Sequence, residues 1–339
     1  MNWLEKAFEE GVVSVPEFSD PTSWRFVDLE PVKQGRGTPP PLYLARTDGL
    51  PLLYPGRAHV FEGPSETLKS WAAVLACRSV LEAEGRALYV DFEDCAETFV
   101  ERARIVGIPE DAIGTSVRYM RPDESALTMR AEADVTTALD EFAPDLVVLD
   151  GVTEAYAMHG WDIHTAEDAA RWQHLVRRTV RASGATSVEV DRTGRDETGG
   201  TAGAPHRRAG LDGAAFAFSE GGPAARGVPG YAYLKVTKDR YGHIRPHAVN
   251  DEIGVLHVDP LAVGGPRVFI APPKSATERR ADELGALVAT IWDEPGIANG
   301  PLAAKAHMRV GDAKRLLKDE PRVRGEQHGN VIKWYPNHA

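Results

Sequence analysis

Between residues 58 and 191, short apolar segments alternate with longer segments whose apolar residues recur at helical spacing. The short segments AHVFE, ALYVDFE, SVRYM, DLVVLD and TSVEVD are predicted to be strands, and the segments between them are predicted to be helices. Strands that alternate with helices are joined by crossovers, which produce a mostly parallel sheet covered on both faces. We therefore expect an α/β fold with a doubly wound, mostly parallel sheet.

The C-terminal residues follow a different pattern. ADELGALVATIWDE, PLAAKAHM and GDAKRLLKD are predicted helices, and RVRGEQHGNVIKWYP is predicted to form two short strands around Gly329 and Asn330. Three short helices and a hairpin are typical of a winged helix, which docks one helix in the major groove of DNA. We predict an N-terminal extension or linker over residues 1–50, the α/β core over residues 51–272, and a small winged-helix domain over residues 273–339.

The first predicted strand runs directly into GPSETLKSW, which is similar to a phosphate-binding loop. In the pattern G-x-x-x-x-G-K-[ST], backbone N–H groups wrap the phosphates, the lysine reaches the terminal phosphates, and the hydroxyl holds Mg²⁺. The predicted nucleotide-binding residues are Gly63, Pro64, Ser65, Glu66, Thr67, Leu68, Lys69, Ser70 and the adjacent Trp71. For Trp71, packing within the helix is the competing interpretation.

The loop departs from the pattern at one position, because Leu68 stands where the motif has its second glycine. A leucine that keeps the left-handed backbone of that glycine costs about 1–2 kcal/mol. Glu66 also places a negative charge in the loop. An ordinary turn that happens to contain Lys-Ser is therefore a competing interpretation of this segment.

Acidic residues follow two later strands of the predicted sheet. ALYVDFED ends in several carboxylates, and DLVVLDG ends in Asp150, which is the pattern of a strand whose aspartate orients Mg²⁺. Solvated carboxylates also end ordinary strands, but this order along the chain favours a site in the crevice above the carboxyl ends of the strands.

Residues 50–250 resemble the RecA-like P-loop ATPase core, and in particular the actinobacterial and phage ATPases related to RepA-type hexameric helicases. The resemblance rests on GPSETLKSW, LYVDFEDCAETFVERARIVG, DLVVLDGVTEA, DGAAFAF and VTKDRYGHIR. It implies that the cofactors are ATP and Mg²⁺ and that Mg²⁺ is held by Ser70 and Asp150.

The resemblance also assigns catalytic residues. It implies that Glu93 activates the attacking water, that Lys69 holds the phosphates, and that Lys238 and Arg240, on a predicted hairpin with its turn at Tyr241 and Gly242, reach the nucleotide of a neighbouring subunit. A solvated hairpin tip is the competing interpretation of this pair. Asp191-Arg192 ends the fourth core strand, where the family is expected to have Asp-His.

Basic residues predict two contacts with DNA. The resemblance places single-stranded DNA at the glycine-rich loop after residue 192, where this chain has Arg207 and Arg208. From Lys305 onward the sequence has eight basic residues against four acidic ones, a surplus of +4 in a chain with a net charge of −11. Lys314, Arg315 and Lys318 share one face of the third C-terminal helix and are predicted to contact duplex DNA. A protein-docking module with a solvated face is the alternative.

The function that we predict is that of an ATP-dependent, DNA-associated RecA-like ATPase, a helicase, translocase or replication and recombination ATPase that assembles as a ring of six or a filament. The alternative is a DNA-binding regulatory or scaffold protein with a degenerate, non-hydrolysing loop, and a small-molecule phosphotransferase is a third possibility. No apolar run approaches the ~20 residues of a membrane span. We expect a cytoplasmic protein without membrane contact.

Overall fold

The computed structural model describes residues 26, 28–34, 38–125, 128–192, 210–222, 227–264, 267–306 and 308–337. The chain divides into two compact units, Met1–Pro39 and Pro40–Ala339. In the first unit, helix α1 spans Glu30–Gln34, and the Lys33 amine pairs with the Glu30 carboxylate at 2.6 Å.

Nine strands of the second unit form one sheet. Their bounds are β1 Ala58–Gly63, β2 Ala87–Asp91, β3 Val117–Met120, β4 Leu146–Asp150, β5 Thr186–Arg192, β6 Ala214–Gly222, β7 Gly230–Asp239, β8 Glu252–Val258 and β9 Val268–Ala271. The strand order is β3-β2-β4-β5-β1-β6-β7-β8-β9. The strands from β3 to β6 in this order are parallel, and β7, β8 and β9 continue the sheet in antiparallel pairs. The predicted α/β fold with a mostly parallel sheet is confirmed.

Helices connect the parallel strands. They are α2 Lys69–Glu82, α3 Ala96–Val106, α4 Met129–Phe142, α5 Val152–Met158, α6 Ala166–Trp172 and α7 Arg178–Ala182, and a π-helical segment, Gln173–Arg177, joins the last two.

The two faces of the sheet pack against two separate apolar clusters. Along β4, Leu146 and Val148 belong to the larger cluster, while Val147 and Leu149 belong to the smaller one. Every residue of β4 is buried. Because side chains alternate between the faces of a strand, this unbroken apolar run is what a strand covered on both sides requires.

Gly85 follows α2, where a glycine is commonly the left-handed C-cap of a helix. The left-handed residue is instead Glu84, with φ 59°, and Gly85 has no positive φ. A Cβ at position 85 would lie 2.7 Å from Val80 Cγ1 and 2.8 Å from Asp145 Oδ2. The glycine is therefore needed for close approach and not for backbone conformation.

The predicted hairpin after residue 230 is only partly correct. Its first strand is β7, but the residues expected to form the second strand contain a 3₁₀ turn, Arg245–His247, and the returning strand is β8. The Asp239 carboxylate accepts hydrogen bonds from the backbone N–H groups of Gly242, Ile244 and Arg245, which holds the chain in a turn. Pro246 follows and has no N–H to donate to a ladder.

The C-terminal residues form three helices and a three-stranded antiparallel sheet. In chain order the elements are α8 Ala276–Asp293, β10 Ile297–Ala298, α9 Asn299–Lys305, α10 Val310–Leu317, β11 Val323–His328 and β12 Val331–Pro336. Leu287, Ile291, Leu302 and Trp334 are among the side chains of their common core. The helices and the hairpin occur where the sequence predicts them, and the assignment as a winged helix stays a prediction.

Candidate functional site

The carboxyl ends of β1, β2, β4 and β5 meet around residues 64–68, which connect β1 to α2. Gly63 ends β1 with φ 154°, and a Cβ there would lie 2.4 Å from the carbonyl oxygen of Phe218 on β6. No side chain fits between these two strands at that point. The first residue of the predicted loop is therefore a glycine because the neighbouring backbone requires it.

Leu68 keeps the conformation of the glycine that it replaces. Its backbone is left-handed, with φ 65° and ψ 17°, and it is the N-cap of α2 without a side-chain hydrogen bond to the helix. The side chain is buried in the main apolar cluster. Glu66 is also left-handed, with φ 63°, and its side chain is exposed. Burial of the leucine side chain, about 1.5–3 kcal/mol, is enough to offset the backbone strain.

The Lys69 amine lies inside the loop. Nζ donates hydrogen bonds to the carbonyl oxygens of Gly63 at 2.9 Å and Pro64 at 2.5 Å and to the Thr67 hydroxyl at 3.3 Å. Burial lowers the pKa of this amine to about 8, although the carboxylates of Asp150 and Asp191 act in the opposite direction. Among the described residues, this buried cation donates hydrogen bonds to neutral oxygens, which suits it to an anionic ligand.

Asp150 ends β4 and is buried beside the start of α2. Burial raises the pKa of its carboxyl, while hydrogen bonds from the Tyr89 and Ser70 side chains oppose that rise. A carboxylate and a hydroxyl in contact provide hard oxygen ligands that fit Mg²⁺, which takes its other ligands from phosphates and water. Within the described residues, no group of three or more His, Cys, Asp or Glu side chains could hold a metal ion. The pair Ser70 and Asp150 fits a Mg²⁺ whose other ligands come from phosphates and water.

Glu93 follows β2 and is positioned by Asp91. The Asp91 carboxylate accepts hydrogen bonds from the backbone N–H groups of Glu93 at 3.0 Å and Asp94 at 2.8 Å, and from the Tyr119 hydroxyl at 3.1 Å. The Glu93 carboxylate itself forms an ion pair with Arg192. Arg192 also pairs with Glu154 at 3.5 Å.

Sequence reasoning missed several of these contacts. The short spacing from Asp91 to Glu93 in DFED could have indicated the turn, because an aspartate accepts hydrogen bonds from N–H groups two residues ahead. The contact between Tyr89 and Asp150 crosses between adjacent strands and had no signal in the sequence.

Trp71 is partly buried against the main apolar cluster, and the Arg102 guanidinium lies 5.8 Å from its ring centroid. These contacts agree with the interpretation that Trp71 packs within the helix and against its neighbours.

Arg240 lies beside the amino end of β1, whereas Lys238 lies beside the middle of that strand, because its partner Ala215 pairs with Val60. Lys238 pairs with Ala215 in the ladder of β6 and β7, and the Arg240 N–H bonds the carbonyl of Gly213, whose own N–H bonds the carbonyl of Ala58 at the start of β1. β1 has six residues, so its two ends are separated by roughly 17 Å. Burial lowers the pKa of Lys238, and the charges of Arg240 and Arg177 lower it further.

The five predicted DNA contacts divide into two groups. Arg207 and Arg208 lie outside the described residues. Lys314, Arg315 and Lys318 are exposed at α10.

The three basic residues of α10 do not have equivalent surroundings. Arg315 pairs with Asp312 at 3.3 Å, and it lines a cavity of about 330 Å³ together with Arg279, Arg280 and Glu283 of α8. Lys314 and Lys318 are one helical turn apart and are not among the residues that line this cavity. They form the more open part of the basic face.

Comparison with known families adds one match. The family described as the AAA domain matches residues 25–197, which is half of the chain and includes the loop, Glu93, Asp150 and Asp191. The matched region ends before Lys238 and before the C-terminal helices. No curated protein matches the chain. None of the described helices combines the length and the apolar character required to cross a membrane.

Proposed function

Because the chain belongs to the AAA domain family of P-loop ATPases, which generally bind ATP with Mg²⁺, we propose that it is a DNA-dependent ATPase that works as a ring or filament. The observation that carries the proposal is the loop that begins at Gly63. It places the buried Lys69 amine beside the contact between Ser70 and Asp150.

Each residue of the loop region has a distinct task in this proposal. The N–H groups at the start of α2 and the Lys69 amine hold the phosphates, since a helix leaves its first N–H groups without intrahelical partners. Ser70 and Asp150 hold Mg²⁺, which when bound neutralises charge on the phosphates. Glu93 accepts a proton from the attacking water. Asp91 supports Glu93 through the turn after β2.

The position of Lys238 and Arg240 supports an assembly in which active sites lie between subunits. Arg240 lies beside the amino end of β1, and the chain's own phosphate loop follows the carboxyl end of the same strand. A cation that acts on a phosphoryl group must come close to it, so these two residues would act on the nucleotide of a neighbour. The resulting contact is head to tail, which closes into a ring or extends into a filament.

Two parts of the chain would contact DNA. The segment between β5 and β6, which contains Arg207 and Arg208, follows directly from the strand end that holds Arg192, and we assign it to a single strand. The C-terminal helices and hairpin are assigned to duplex DNA as a winged helix, in which Lys314 and Lys318 of α10 supply the phosphate contacts. Arg315 contributes less because it pairs with Asp312.

A DNA-binding scaffold that binds nucleotide without hydrolysing it is the second candidate. The ion pair between Glu93 and Arg192 favours it, because this contact engages the carboxylate that would act as the base. Hydrolysis is favoured by the presence of Lys69 inside the loop and by the contact between Ser70 and Asp150.

The test is ATP hydrolysis with and without single-stranded DNA, compared between the unaltered protein, Lys69→Ala and Lys235→Ala. Lys235 is an exposed lysine on β7 and serves as the matched control. We expect turnover that rises with DNA, is lost in Lys69→Ala and persists in Lys235→Ala. Nucleotide binding without turnover would support the scaffold instead. If the protein neither bound nor hydrolysed ATP, the proposal that it is an ATPase would be wrong.

A further inference from the structure

Arg192 occupies a position between the parts of the proposed active site. It is the last residue of β5, and its backbone lies beside Gly63 in the register of β5 and β1. Burial is the main cause that lowers the pKa of the Lys69 amine, and the charge of Arg192 lowers it further. The guanidinium is therefore within electrostatic reach of the group that would hold the terminal phosphates.

The guanidinium is held by two carboxylates. Nη2 pairs with Oε1 of Glu93, and Nη1 lies 3.5 Å from Oε1 of Glu154 on α5. The second oxygen of Glu154 is buried and has no hydrogen-bond partner within the described residues. Glu154 is thus oriented with one oxygen on the arginine and the other enclosed, which makes it an anchor for Arg192 beside Glu93.

The contact with Glu93 has a chemical consequence. Hydrolysis requires a water oxygen to bond to the terminal phosphorus while the bond to the bridging oxygen breaks, and a proton of that water must pass to a base. A carboxylate oxygen that already accepts from a guanidinium is poorly placed to accept that proton. The backbone of Glu93 is fixed by Asp91, so the side chain cannot simply move away with its loop.

On the basis of the proposed role of Glu93 as the base, we propose that Arg192 gates hydrolysis by holding Glu93 until the guanidinium is drawn to another anion. The phosphates of a bound nucleotide are the anions that come nearest, because Arg192 and Lys69 flank the same loop. Arg192 is a positioning residue in this scheme. It sets the fraction of sites in which Glu93 is available.

Arg192→Gln tests the gate through the steady-state constants of hydrolysis without DNA. We expect kcat to rise roughly two- to fivefold. A partly exposed ion pair favours the paired over the unpaired state by up to about that factor, so its loss should free Glu93 to the same extent. KM for ATP should rise, because the phosphates of the bound nucleotide lose the guanidinium that they would draw from Glu93. Arg192→Lys, which keeps the charge, should remain close to the unaltered protein. A fall in kcat with Arg192→Gln would overturn the gate and make Arg192 a direct stabiliser of the reaction.

Two further variants distinguish the gate from a rise in kcat that follows the loss of any surface arginine or ion pair. Glu154→Gln removes the anchor and should raise kcat in the same direction by a smaller factor. Arg171→Gln is the matched control, because Arg171 also bridges two carboxylates, those of Glu167 and Asp168, and none of its partners belongs to the loop. A rise in the control equal to that in Arg192→Gln would contradict a specific gate.

The outcomes distinguish the gate from the function on which it rests. Turnover that depends on Lys69 but does not rise with Arg192→Gln would keep the ATPase and overturn the gate. Turnover that occurs only in Arg192→Gln would support the gate and overturn hydrolysis by the unaltered protein. Lack of turnover in both would overturn both.

Discussion

Leu68 shows how one residue exchanges backbone strain for burial. Its left-handed backbone is unfavourable for any residue with a Cβ, and its side chain is packed in the main apolar cluster. At an ordinary helical or extended position, glycine is less stable than alanine by about 1 kcal/mol. At position 68 we expect the reverse order.

Leu68→Ala and Leu68→Gly measure the strain directly. Both lose most of the buried side chain, but only glycine relieves the positive φ, so Leu68→Gly should be more stable than Leu68→Ala by about 1 kcal/mol. Leu68→Ala should be less stable than the unaltered protein by roughly 2–5 kcal/mol, and Leu68→Gly should lose about 1 kcal/mol less than that. Urea denaturation gives the free energies of unfolding. An alanine variant as stable as the glycine variant would show that the left-handed backbone is not retained.

The Lys69 amine gives nucleotide binding a dependence on pH. Burial lowers its pKa from 10.5 to about 8, so the free protein loses the charge of this amine as the pH rises through about 8. A phosphate favours the charged form, so binding above that pH must include uptake of a proton. Between about pH 7 and pH 9 the apparent affinity for ATP should fall roughly tenfold.

Lys69→Arg is the control for this pH dependence, since a guanidinium stays charged throughout that range. Its affinity for ATP should vary little over the range in which that of the unaltered protein falls. Titration of a fluorescent nucleotide at several pH values gives both curves. Parallel curves for the two proteins would assign the pH dependence to another group.

Much of the candidate site could be predicted from the sequence, because motif residues are local in the chain. The loop residues and Asp150 were located in this way, whereas Glu93 was assigned only through the family resemblance, and the role of each stays a prediction. Arg192 stood out only as a departure, and its contacts with Glu93 and Glu154 join residues from β5, the segment after β2 and α5. Such contacts depend on the relative placement of strands, which periodicity does not specify.

At the scale of elements, the parallel strands could be predicted because each is an apolar run between helices. The outer strands β8 and β9 were not predicted. They pair with antiparallel neighbours, so no helix precedes or follows them as it does for the parallel strands, and the alternation of strands and helices gave no signal. The turn after β7 also escaped prediction. It depends on the Asp239 carboxylate, which also accepts a hydrogen bond from Tyr54, a residue far away in the sequence.

The face of α10 carries a prediction about duplex DNA. Replacing both Lys314 and Lys318 with alanine should weaken binding to duplex DNA and reduce the slope of log affinity against log salt by about 2, one for each lost phosphate contact. ATP turnover without DNA should not change. Lys305→Ala is the matched control, because Lys305 pairs with Glu294. If the salt slope of the double variant stayed the same, α10 would be a protein-docking face.

At the scale of the whole molecule, the sheet separates the two halves of the proposed active site. Lys69 lies beyond the carboxyl end of β1, and Arg240 lies beside its amino end. Within a single chain, Lys69 and Arg240 therefore cannot contact the same phosphate group unless the sheet is disrupted. In the proposed assembly, a neighbour oriented head to tail would supply Arg240 to this nucleotide.

This separation predicts complementation between two inactive variants. Lys69→Ala lacks a working loop but retains Arg240, while Arg240→Ala lacks the arginine but retains the loop. In a randomly mixed assembly, about one interface in four joins an intact loop to an intact arginine, so turnover should recover to roughly a quarter of that of the unaltered protein. The measurement is ATP hydrolysis after the two variants are mixed under conditions that allow subunits to exchange. Each variant alone is the control, and turnover by Arg240→Ala alone would remove Arg240 from the reaction. A mixture that stays inactive while subunits exchange would contradict a site shared between subunits.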